Sequence, residues 1–429
     1  MAKCKIHEPA AFHAGIPEGG PRPAQATVLY VGAVHGDLIH GMKLAGIRRY
    51  AALRGWEAEA VPYAELLSRG LASILAARRH VAGCVVEAAS DGVLFPPELF
   101  GDVPVVYLHP PQSLRDRRVA FVATDNEAVA RAAFRELSAR RPVAYAVVGY
   151  RMPTEWAAVR RRVFADLAAK AGVPCHVFGA DGTENGVRSA ESAAALERWI
   201  AALPRDTAIF AVNDGTAGEV IDAAAAANRH IPRELALCGV DNLADICEAT
   251  RPTITSIQID FERAGFLAAR LLGDFPAKRE ANGRMHFSGK PRRASVPPCD
   301  KGSITVGPLM VAWRESTGGA GRREPHILAA VERIRREACN GLTAQKVIAE
   351  SPGSKRLFTM RFREATGHSV LDEIRHVRLE AVETLLLQTD TPIRAIADFC
   401  GWGSSVALER FFRSSTGMTM REWRLKNRG

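Results

Sequence analysis

The chain has 429 residues, of which 47% are hydrophobic and 24% charged, as is typical of a soluble globular protein. This length exceeds what one hydrophobic core usually covers and predicts two or three domains. The formal net charge of +10 is compatible with a polyanionic partner without requiring one. The eight cysteines form no CxxC pair, so the sequence argues against a zinc or iron-sulfur site, and we expect neither a metal nor a cofactor.

The N-terminal 26 residues are rich in glycine, proline and histidine and contain no apolar run of signal-peptide length. We predict a disordered segment over 1–26. No later stretch approaches the roughly 20 consecutive apolar residues that a membrane span requires. The sequence therefore predicts a cytoplasmic protein with no membrane partner.

From Thr27 onward, short apolar runs alternate with longer helical patterns. VLYVG, VAGCVVEAA, VPVVYLHP and AIFAVND are examples of the runs. Runs that are apolar on both faces, each followed by a crossover helix, predict parallel sheets in an α/β fold. Their number predicts two lobes over 27–313. Ligands of such sheets bind beyond the carboxyl ends of the strands.

The pattern changes after residue 313. Residues 314–324 include the stretch STGGAG and predict a flexible linker. From Pro325 onward, helical patterns follow one another without a strand signal. An all-α domain is therefore predicted over 325–429.

The all-α region contains the same helix-ending sequence pattern twice. FREATGHS, beginning at Phe362, returns as FRSSTGMT, beginning at Phe412. In each copy the glycine favours a left-handed helix stop. The following Ser369 or Thr419 has an acidic residue three positions later, which is the capping-box spacing. Each copy predicts the end of one helix and the start of the next.

The first copy of this pattern follows a predicted short helix and tight turn and ends the predicted second helix. Thr343 and Ser354 are the expected N-caps, and Phe358 and Phe362 are expected to share the buried face of the second helix. A short helix followed by a tight turn and a helix with an exposed basic face predicts a helix-turn-helix unit.

The second ending closes the same arrangement, with Thr391 as the expected cap of the short helix. Leu408, Phe411 and Phe412 are expected to face the core. The helical pattern over 369–388 would brace both units, and at ~1.5 Å per residue it spans roughly 30 Å. That length is close to the ~34 Å between successive major-groove faces of B-DNA. A plain helical bundle is the alternative.

The C-terminal stretch IRAIADFCGWGSSVALERFFRSSTGMTMREWR resembles the signature of AraC/XylS-type transcription regulators, and the resemblance extends back to about Pro325. Met420 and Trp423 stand where the family usually has Pro and Tyr. The resemblance implies double-stranded DNA as a partner, with RNA polymerase as a further partner if the protein is an activator.

Outward positions on the two second helices are the candidate DNA contacts. Base edges are the expected targets of Arg356, Thr359, Met360, Ser405, Val406, Glu409 and Arg410. Phosphates are the expected targets of Lys355, Arg363 and Arg413.

The α/β region resembles the sugar-binding domains of LacI/GalR regulators and periplasmic binding proteins. The resemblance lies in FVATDNEAVARAAFREL, AIFAVNDGTAGEVIDAA and LALCGVDNLADICEATRPTITSIQIDFERAG. Together with the WRESTGG that closes this region, the whole chain resembles the xylose operon regulators. The resemblance implies a small sugar as the effector.

A polyol needs amide, carboxylate and guanidinium partners together with an aromatic face. Each candidate has an alternative role, because Asp and Asn after strands often cap helices and an arginine in a basic run is often solvated. The candidate sugar contacts are Asp37, Trp156, Arg160, Asn213, Asp214 and Asp241.

We therefore predict a sugar-controlled, DNA-binding transcription regulator of carbohydrate catabolism, an activator and homodimer, and not an enzyme. A DNA-repair protein of the methyl-accepting type would need clustered metal-binding cysteines, and a transport protein would need a signal peptide. A regulator whose α/β domain only dimerises or binds a partner protein stays open at this point.

Overall fold

In a computed structural model of the chain, the described residues are 26–32, 38–78, 80–87, 89–90, 93–115, 119–151, 154–179, 190–273, 275, 277–279, 285–287, 303–318, 325–388 and 392–428. The predicted N-terminal disordered segment falls outside them apart from residue 26. Two individual predictions, the sugar contact Asp37 and the helix cap Thr391, also lie outside the described residues.

The first half of the chain alternates strands and helices. Its elements are β1 (Thr27–Gly32), α1 (Leu38–Leu53), β2 (Glu57–Pro62), α2 (Tyr63–Arg69), α3 (Leu71–Ala76), β3 (Val81–Glu87), β4 (Ala89–Ser90), β5 (Val93–Leu94), β6 (Val105–Leu108), α4 (Gln112–Arg115), β7 (Ala120–Thr124), α5 (Asn126–Ser138), β8 (Ala144–Val148), α6 (Glu155–Lys170), β9 (Cys175–Phe178) and α7 (Ala190–Ala202).

The alternation continues to β16 and then gives way to helices. The remaining elements are β10 (Thr207–Ala211), α8 (Asp214–Ala226), β11 (Leu235–Val240), α9 (Ala244–Cys247), β12 (Thr255–Ile259), α10 (Phe261–Gly273), β13 (Ala277–Arg279), β14 (Met285–Phe287), β15 (Ser303–Val306), β16 (Pro308–Ala312), α11 (Pro325–Glu337), α12 (Ala344–Glu350), α13 (Lys355–Thr366), α14 (Val370–Gln388), α15 (Ile393–Phe399), α16 (Ser405–Thr416) and α17 (Met420–Arg428).

Two six-stranded sheets form the two lobes, which confirms the predicted α/β fold. Lobe 1 has the strand order β15-β7-β6-β3-β1-β2, with every pair parallel. Lobe 2 has the order β16-β12-β11-β10-β8-β9, and only β16 runs antiparallel to its neighbour. The central strands are buried along their length because helices cover both faces, as the continuous apolar runs predict.

Within the described residues, the chain crosses between the lobes three times: from β7 to α5, from β12 to α10, and from β15 to β16. Helix α10 follows a lobe 2 strand but packs against α1 and the lobe 1 sheet. Asp125, in the first crossing, donates its backbone N–H to the carbonyl of Val306 in the third at 2.8 Å. The three crossings form a narrow hinge.

The predicted linker begins too early. Residues 314–317 pack against lobe 2, where the Ser316 hydroxyl donates to the carbonyl of Leu237 at 2.6 Å. Thr255 donates its backbone N–H to Ser316 Oγ at 2.9 Å. Ser316 is fully buried. This segment closes the α/β domain, and the described chain resumes at Pro325.

The all-α domain contains the two predicted helix-turn-helix units, α12–α13 and α15–α16. Helix α14 packs on both, since Val370 and Ile374 lie in the core of the first unit and Val382 and Leu386 in that of the second. The 19 residues of α14 give a length of about 28 Å. The predicted brace is therefore present.

The repeated helix ending has the predicted geometry. Gly367 and Gly417 adopt φ values of 83° and 73°, and each donates its N–H to the carbonyl four residues earlier. Thr419 Oγ1 accepts from the backbone N–H of Glu422 at 3.2 Å, and Glu422 Oε2 accepts from that of Thr419 at 2.9 Å. Ser369 and Asp372 make the same reciprocal pair.

One core assignment was wrong. Leu408 and Phe412 are fully buried, but Phe411 is only partly buried and packs against Trp402 with ring centroids 5.0 Å apart. The edge of α16 that carries Phe411 faces Arg375 of α14 rather than the interior. Met420 and Trp423, which depart from the family pattern, are both buried, and Trp423 packs edge-on against Phe412.

Removing one N-cap hydroxyl should destabilise the second unit. Ser404 Oγ accepts from the backbone N–H of Ala407 at 3.1 Å at the start of α16. We expect Ser404→Ala to lower the free energy of unfolding by about 1 kcal/mol, measured by urea denaturation. Ser415→Ala, at an exposed position of the same helix, is the matched control. Equal stability of the two variants would contradict a capping role.

Candidate functional site

Arg160 is the centre of the lobe 2 face of the cleft between the lobes. It lies on α6 and is only 4% exposed. Its guanidinium donates to Asn126 Oδ1 at 2.9 Å and to the carbonyl of Val212 at 2.7 Å. Asp241 Oδ1 lies 4.0 Å from the same group. Burial lowers the pKa of Arg160, and the carboxylate of Asp241 opposes that effect.

Trp156, one helical turn before Arg160, has its ring 4.8 Å from the guanidinium carbon of Arg160. Its other neighbour is Tyr150, with ring centroids 5.1 Å apart. The ring therefore holds the flat face of the guanidinium, as a cation–π contact does. Trp156 orients Arg160 in this structure, and a direct contact with a sugar stays a prediction.

Asp241 and Asn242 follow β11 and have positive φ values of 104° and 57°. Such backbone geometry costs free energy in residues other than glycine and is concentrated at functional sites. Asn242 donates its backbone N–H to Ser256 Oγ at 3.0 Å and its side-chain amide to Gln258 Oε1 at 3.3 Å. These bonds hold the carboxylate of Asp241 beside Arg160.

The two remaining candidates behave differently from each other. Asn213 caps α8 by accepting from the backbone N–H of Thr216 at 2.8 Å, and it lines a cavity of about 410 Å³ together with Tyr150. Asp214 is fully buried, and its two oxygens accept from Leu243 N and Ser256 Oγ. Burial raises the pKa of Asp214 to about 6. Its contacts are those of a side chain that anchors the loop after β11.

Lobe 1 supplies a polar cluster that the sequence analysis missed. Glu87, at the end of β3, is 7% exposed and accepts at Oε1 from Lys43 Nζ at 2.6 Å and from the Tyr30 hydroxyl at 3.1 Å. Burial raises the pKa of Glu87, but the ammonium group of Lys43 outweighs this and leaves it below its usual value. The ionised Glu87 therefore neutralises Lys43.

His109 follows β6 and faces Arg160 across the cleft. The backbone N–H of Thr124 donates to His109 Nδ1 at 3.2 Å, so the neutral ring carries its proton on Nε2. Nε2 is shielded from solvent and has no hydrogen-bond partner among the residues that the structure describes. Burial, then the charges of Lys43 and Arg160, lower the pKa of His109 to about 3. The site thus offers one unused neutral N–H donor.

A common signal could have identified Glu87 and His109. Each is the first polar residue after a buried apolar run, in VAGCVVE and VPVVYLH, where a parallel sheet binds its ligands. Lys43 carries no such signal, because it lies in the interior of α1 and meets Glu87 only across 44 residues of sequence.

The cleft is balanced in charge. Lys43 is paired with Glu87, and Arg160 lies beside Asp241. Arg151 and Glu219, which line the cavity beside Asn213, lie 3.9 Å from each other and so also pair a positive with a negative group. Asn213 and His109 add neutral hydrogen-bonding groups, and Trp156 and Tyr150 are the aromatic side chains beside them. This arrangement suits an uncharged ligand with several hydroxyl groups.

The predicted DNA contacts lie on the outer faces of α13 and α16. Arg356, Met360, Arg363, Val406, Glu409, Arg410 and Arg413 are exposed, and Thr359 and Ser405 are partly exposed. Met360 and Val406 are 48% and 63% exposed. Both faces therefore present basic, apolar and polar groups together.

Two of these side chains are engaged within the domain. Lys355 Nζ donates to the carbonyls of Ala349 and Ser351 at 2.6 and 2.7 Å, at the end of α12. The Thr359 hydroxyl donates to the carbonyl of Lys355 at 2.9 Å. Lys355 would have to leave these carbonyls to contact a phosphate.

Two family models match the chain: a periplasmic binding protein-like domain over residues 132–295 and a helix-turn-helix domain over residues 352–426. With these two matches, the chain resembles AraC-type regulators that carry a periplasmic-binding-protein-like sensing domain. The first model covers most of lobe 2 and α10, and the second spans α13 to α17. In the parts of the chain that the structure describes, no helix is long and apolar enough to cross a membrane.

Two curated relatives match most of the chain. The chain is 26% identical to the xylose operon regulatory protein of Haemophilus influenzae over 308 residues, which are 71% of this chain and 74% of the relative. It is also 26% identical to the protein of that name from Escherichia coli over 328 residues, 75% of this chain and 79% of the relative.

Solved structures show the same fold. A structure described as the xylose-binding transcription activator xylR aligns with a TM-score of 0.53 and 22% identity, covering 95% of this chain and all of the other. A cellobiose complex of the transcriptional regulator CelR aligns with a TM-score of 0.51 and 20% identity, covering 68% of this chain and 86% of the other.

The depressed pKa of His109 predicts a loss of stability in acid. The unfolded chain takes up a proton on this ring near pH 6.5 and the folded chain only near pH 3, so stability is complete above about 6.5 and falls as the pH drops below it. We expect His109→Gln to reduce the number of protons taken up on unfolding at pH 5 by about one. The measurement is the free energy of unfolding between pH 7.5 and 4.5.

His326→Gln, on α11 and outside the cleft, is the control and should keep the wild-type pH dependence. If His109→Gln kept it as well, the ring would titrate in the folded protein as it does in water.

Proposed function

We propose that the protein is a transcription regulator controlled by a small neutral sugar. The observation that carries the proposal is the pairing of a charge-balanced, hydroxyl-matching cleft with two helix-turn-helix units in one chain. A transport protein has no use for the units, and a simple DNA-binding protein has no use for the cleft.

The proposed effector is a monosaccharide such as xylose or a close relative. Arg160, Asp241 and Asn213 from lobe 2, with His109 from lobe 1, supply both donors and acceptors to ring hydroxyls. An acidic sugar would place its carboxylate near Glu87 and Asp241 without an unpaired cation to receive it, which disfavours uronic acids. The names of the curated relatives make xylose the first sugar to test.

The DNA is read by α13 and α16. Arg356 and Arg410 are suited to guanine, Glu409 accepts from cytosine, and Val406 contacts a thymine methyl. The length of about 28 Å of α14, which packs on both units, supports the reading of successive turns of one groove face by the two helices.

The cellular role that follows is activation of carbohydrate catabolism genes by a homodimer that contacts RNA polymerase. Pairing two copies doubles the number of reading helices and raises affinity through effective concentration. A sedimentation experiment at micromolar concentration tests the dimer, and transcription in vitro with purified polymerase tests the sign of regulation.

Sugar binding should depend on Asp241. In a thermal-shift panel of pentoses, hexoses, deoxyhexoses and uronic acids, one neutral sugar should stabilise the wild type by roughly 2.7 kcal/mol at 100 times its dissociation constant. We expect Asp241→Ala to abolish that shift. Asp245→Ala, four residues along and exposed, should retain it. A panel without any stabilising sugar would favour a regulator whose α/β domain binds a partner protein.

DNA recognition should be lost in two distinguishable ways. Arg410→Ala should weaken operator binding by roughly 1–3 kcal/mol and relax the preference at one base position in a binding-site selection experiment. Arg413→Ala should weaken binding to all sequences alike and lower the salt dependence. Arg336→Ala, on α11 outside both units, should change neither. Unaltered selection by Arg410→Ala would exclude base reading by this side chain.

A further inference from the structure

The all-α domain contacts both lobes of the α/β domain. On the lobe 2 side, α13 lies against β16, and Phe358 and Phe362 join one apolar core with Met310 and Val311. Phe362 and Met310 are 0% and 4% exposed, so this contact excludes water. Apolar burial of this kind is non-directional and stable to small shifts.

On the lobe 1 side, the contact is made of ion pairs. Arg263 and Arg270 of α10 reach Glu380 and Glu383 of α14, each pair at 2.8 Å. We call these four residues the charged clasp. Arg270 and Glu383 are 14% and 17% exposed at their side chains, so water screens this pair only in part. Burial raises the pKa of Glu383, and Arg270 opposes that shift.

A further ion pair lies at the hinge itself. Asp260 stands between β12 of lobe 2 and α10 of lobe 1, is 6% exposed, and pairs with Arg335 of α11. Its Oδ1 also accepts from the backbone N–H of Arg263 at 3.0 Å. The all-α domain therefore touches lobe 2, lobe 1 and the segment that must bend when the lobes move.

These contacts cannot all survive a change in the angle between the lobes. Helix α10 moves with lobe 1 because it packs on α1 and on the lobe 1 sheet, whereas β16 moves with lobe 2. Helix α14 packs into the cores of both units, with Val370 and Ile374 in the first and Val382 and Leu386 in the second, so the all-α domain moves as a unit. A rotation about the hinge must break either the apolar contact with β16 or the charged clasp.

We propose that the charged clasp is the contact that opens, so that closure of the lobes on a sugar frees the DNA-binding domain from lobe 1 and lets it move with lobe 2. This inference rests on the proposed function. Ion pairs depend steeply on distance and gain water when they separate, while separation at β16 would expose Phe358 and Phe362. The intact clasp then weakens sugar binding, and the bound sugar weakens the clasp by the same coupling free energy.

Charge reversal tests the proposal, because it breaks the pair in two variants and restores it in a third. Arg270→Glu places two carboxylates in contact with each other and Glu383→Arg places two guanidiniums there, while the double variant reforms an ion pair of opposite polarity. Arg69→Glu, which breaks a 2.8 Å ion pair within α2 of lobe 1, is the matched control.

The first readout is the dissociation constant of the stabilising sugar, measured by calorimetry on the full chain. Each single variant should bind it at least about 5-fold more tightly than the wild type, the lower end of usual allosteric couplings. The double variant and Arg69→Glu should stay within about 2-fold of the wild type. Sugar affinities that are unchanged in the single variants would overturn the proposal.

The second readout is operator affinity without sugar. Each single variant should shift it in the direction in which the sugar shifts the wild type, and the double variant should reverse the shift. If no sugar binds the wild type, the proposed function fails, but operator affinity still tests whether the charged clasp restrains the DNA-binding domain. A change of about 5-fold or more that the double variant reverses supports a clasp that restrains the DNA-binding domain, and unchanged affinity overturns it.

Discussion

Three chain crossings between two parallel sheets constrain everything else in this molecule. Because the hinge is narrow, the carboxyl ends of the strands of the two lobes face each other across a cleft, and polar residues that follow those strands meet there. The Asp125 to Val306 hydrogen bond ties two of the crossings together. The remaining crossing, from β12 to α10, carries Asp260, which the all-α domain contacts through Arg335. The same bending segment thus borders the ligand cleft and the DNA-binding domain.

Within the cleft, buried charges are tolerated because each has a partner. Lys43 and Glu87 neutralise one another on lobe 1, and Arg160 is held by Asn126, Val212 and Asp241 at the opposite face. Pairing of this kind leaves hydrogen-bonding capacity without net charge. A ligand rich in hydroxyl groups uses that capacity, whereas an ionic ligand would leave one of the protein's own charges unpaired.

The DNA-binding half follows a different principle. Each of its two units has its own caps and glycine stop, but only the second has a core separate from the α/β domain, since Phe358 and Phe362 of the first pack with lobe 2. Their link to the sensing half is asymmetric, apolar towards lobe 2 and ionic towards lobe 1. Because the two contacts differ in kind, a small rotation of the lobes breaks the charged clasp and leaves the apolar contact with β16 intact. Packed interfaces convert gradual motion into a two-state change in this way.

Local sequence was sufficient to predict the helix-turn-helix units, because capping boxes and glycine stops are hydrogen bonds between residues three or four apart. It was also sufficient for the parallel sheets, since buried strands need continuous apolar runs, and for the position of Asp241 and Asn213 directly after lobe 2 strands, while their contact with a sugar stays a prediction. Tertiary structure alone decided that Lys43 meets Glu87, that Phe411 turns to Trp402, and that Arg270 reaches Glu383. These pairs are brought together by the packing of whole elements, and no spacing along the chain records the distance between them.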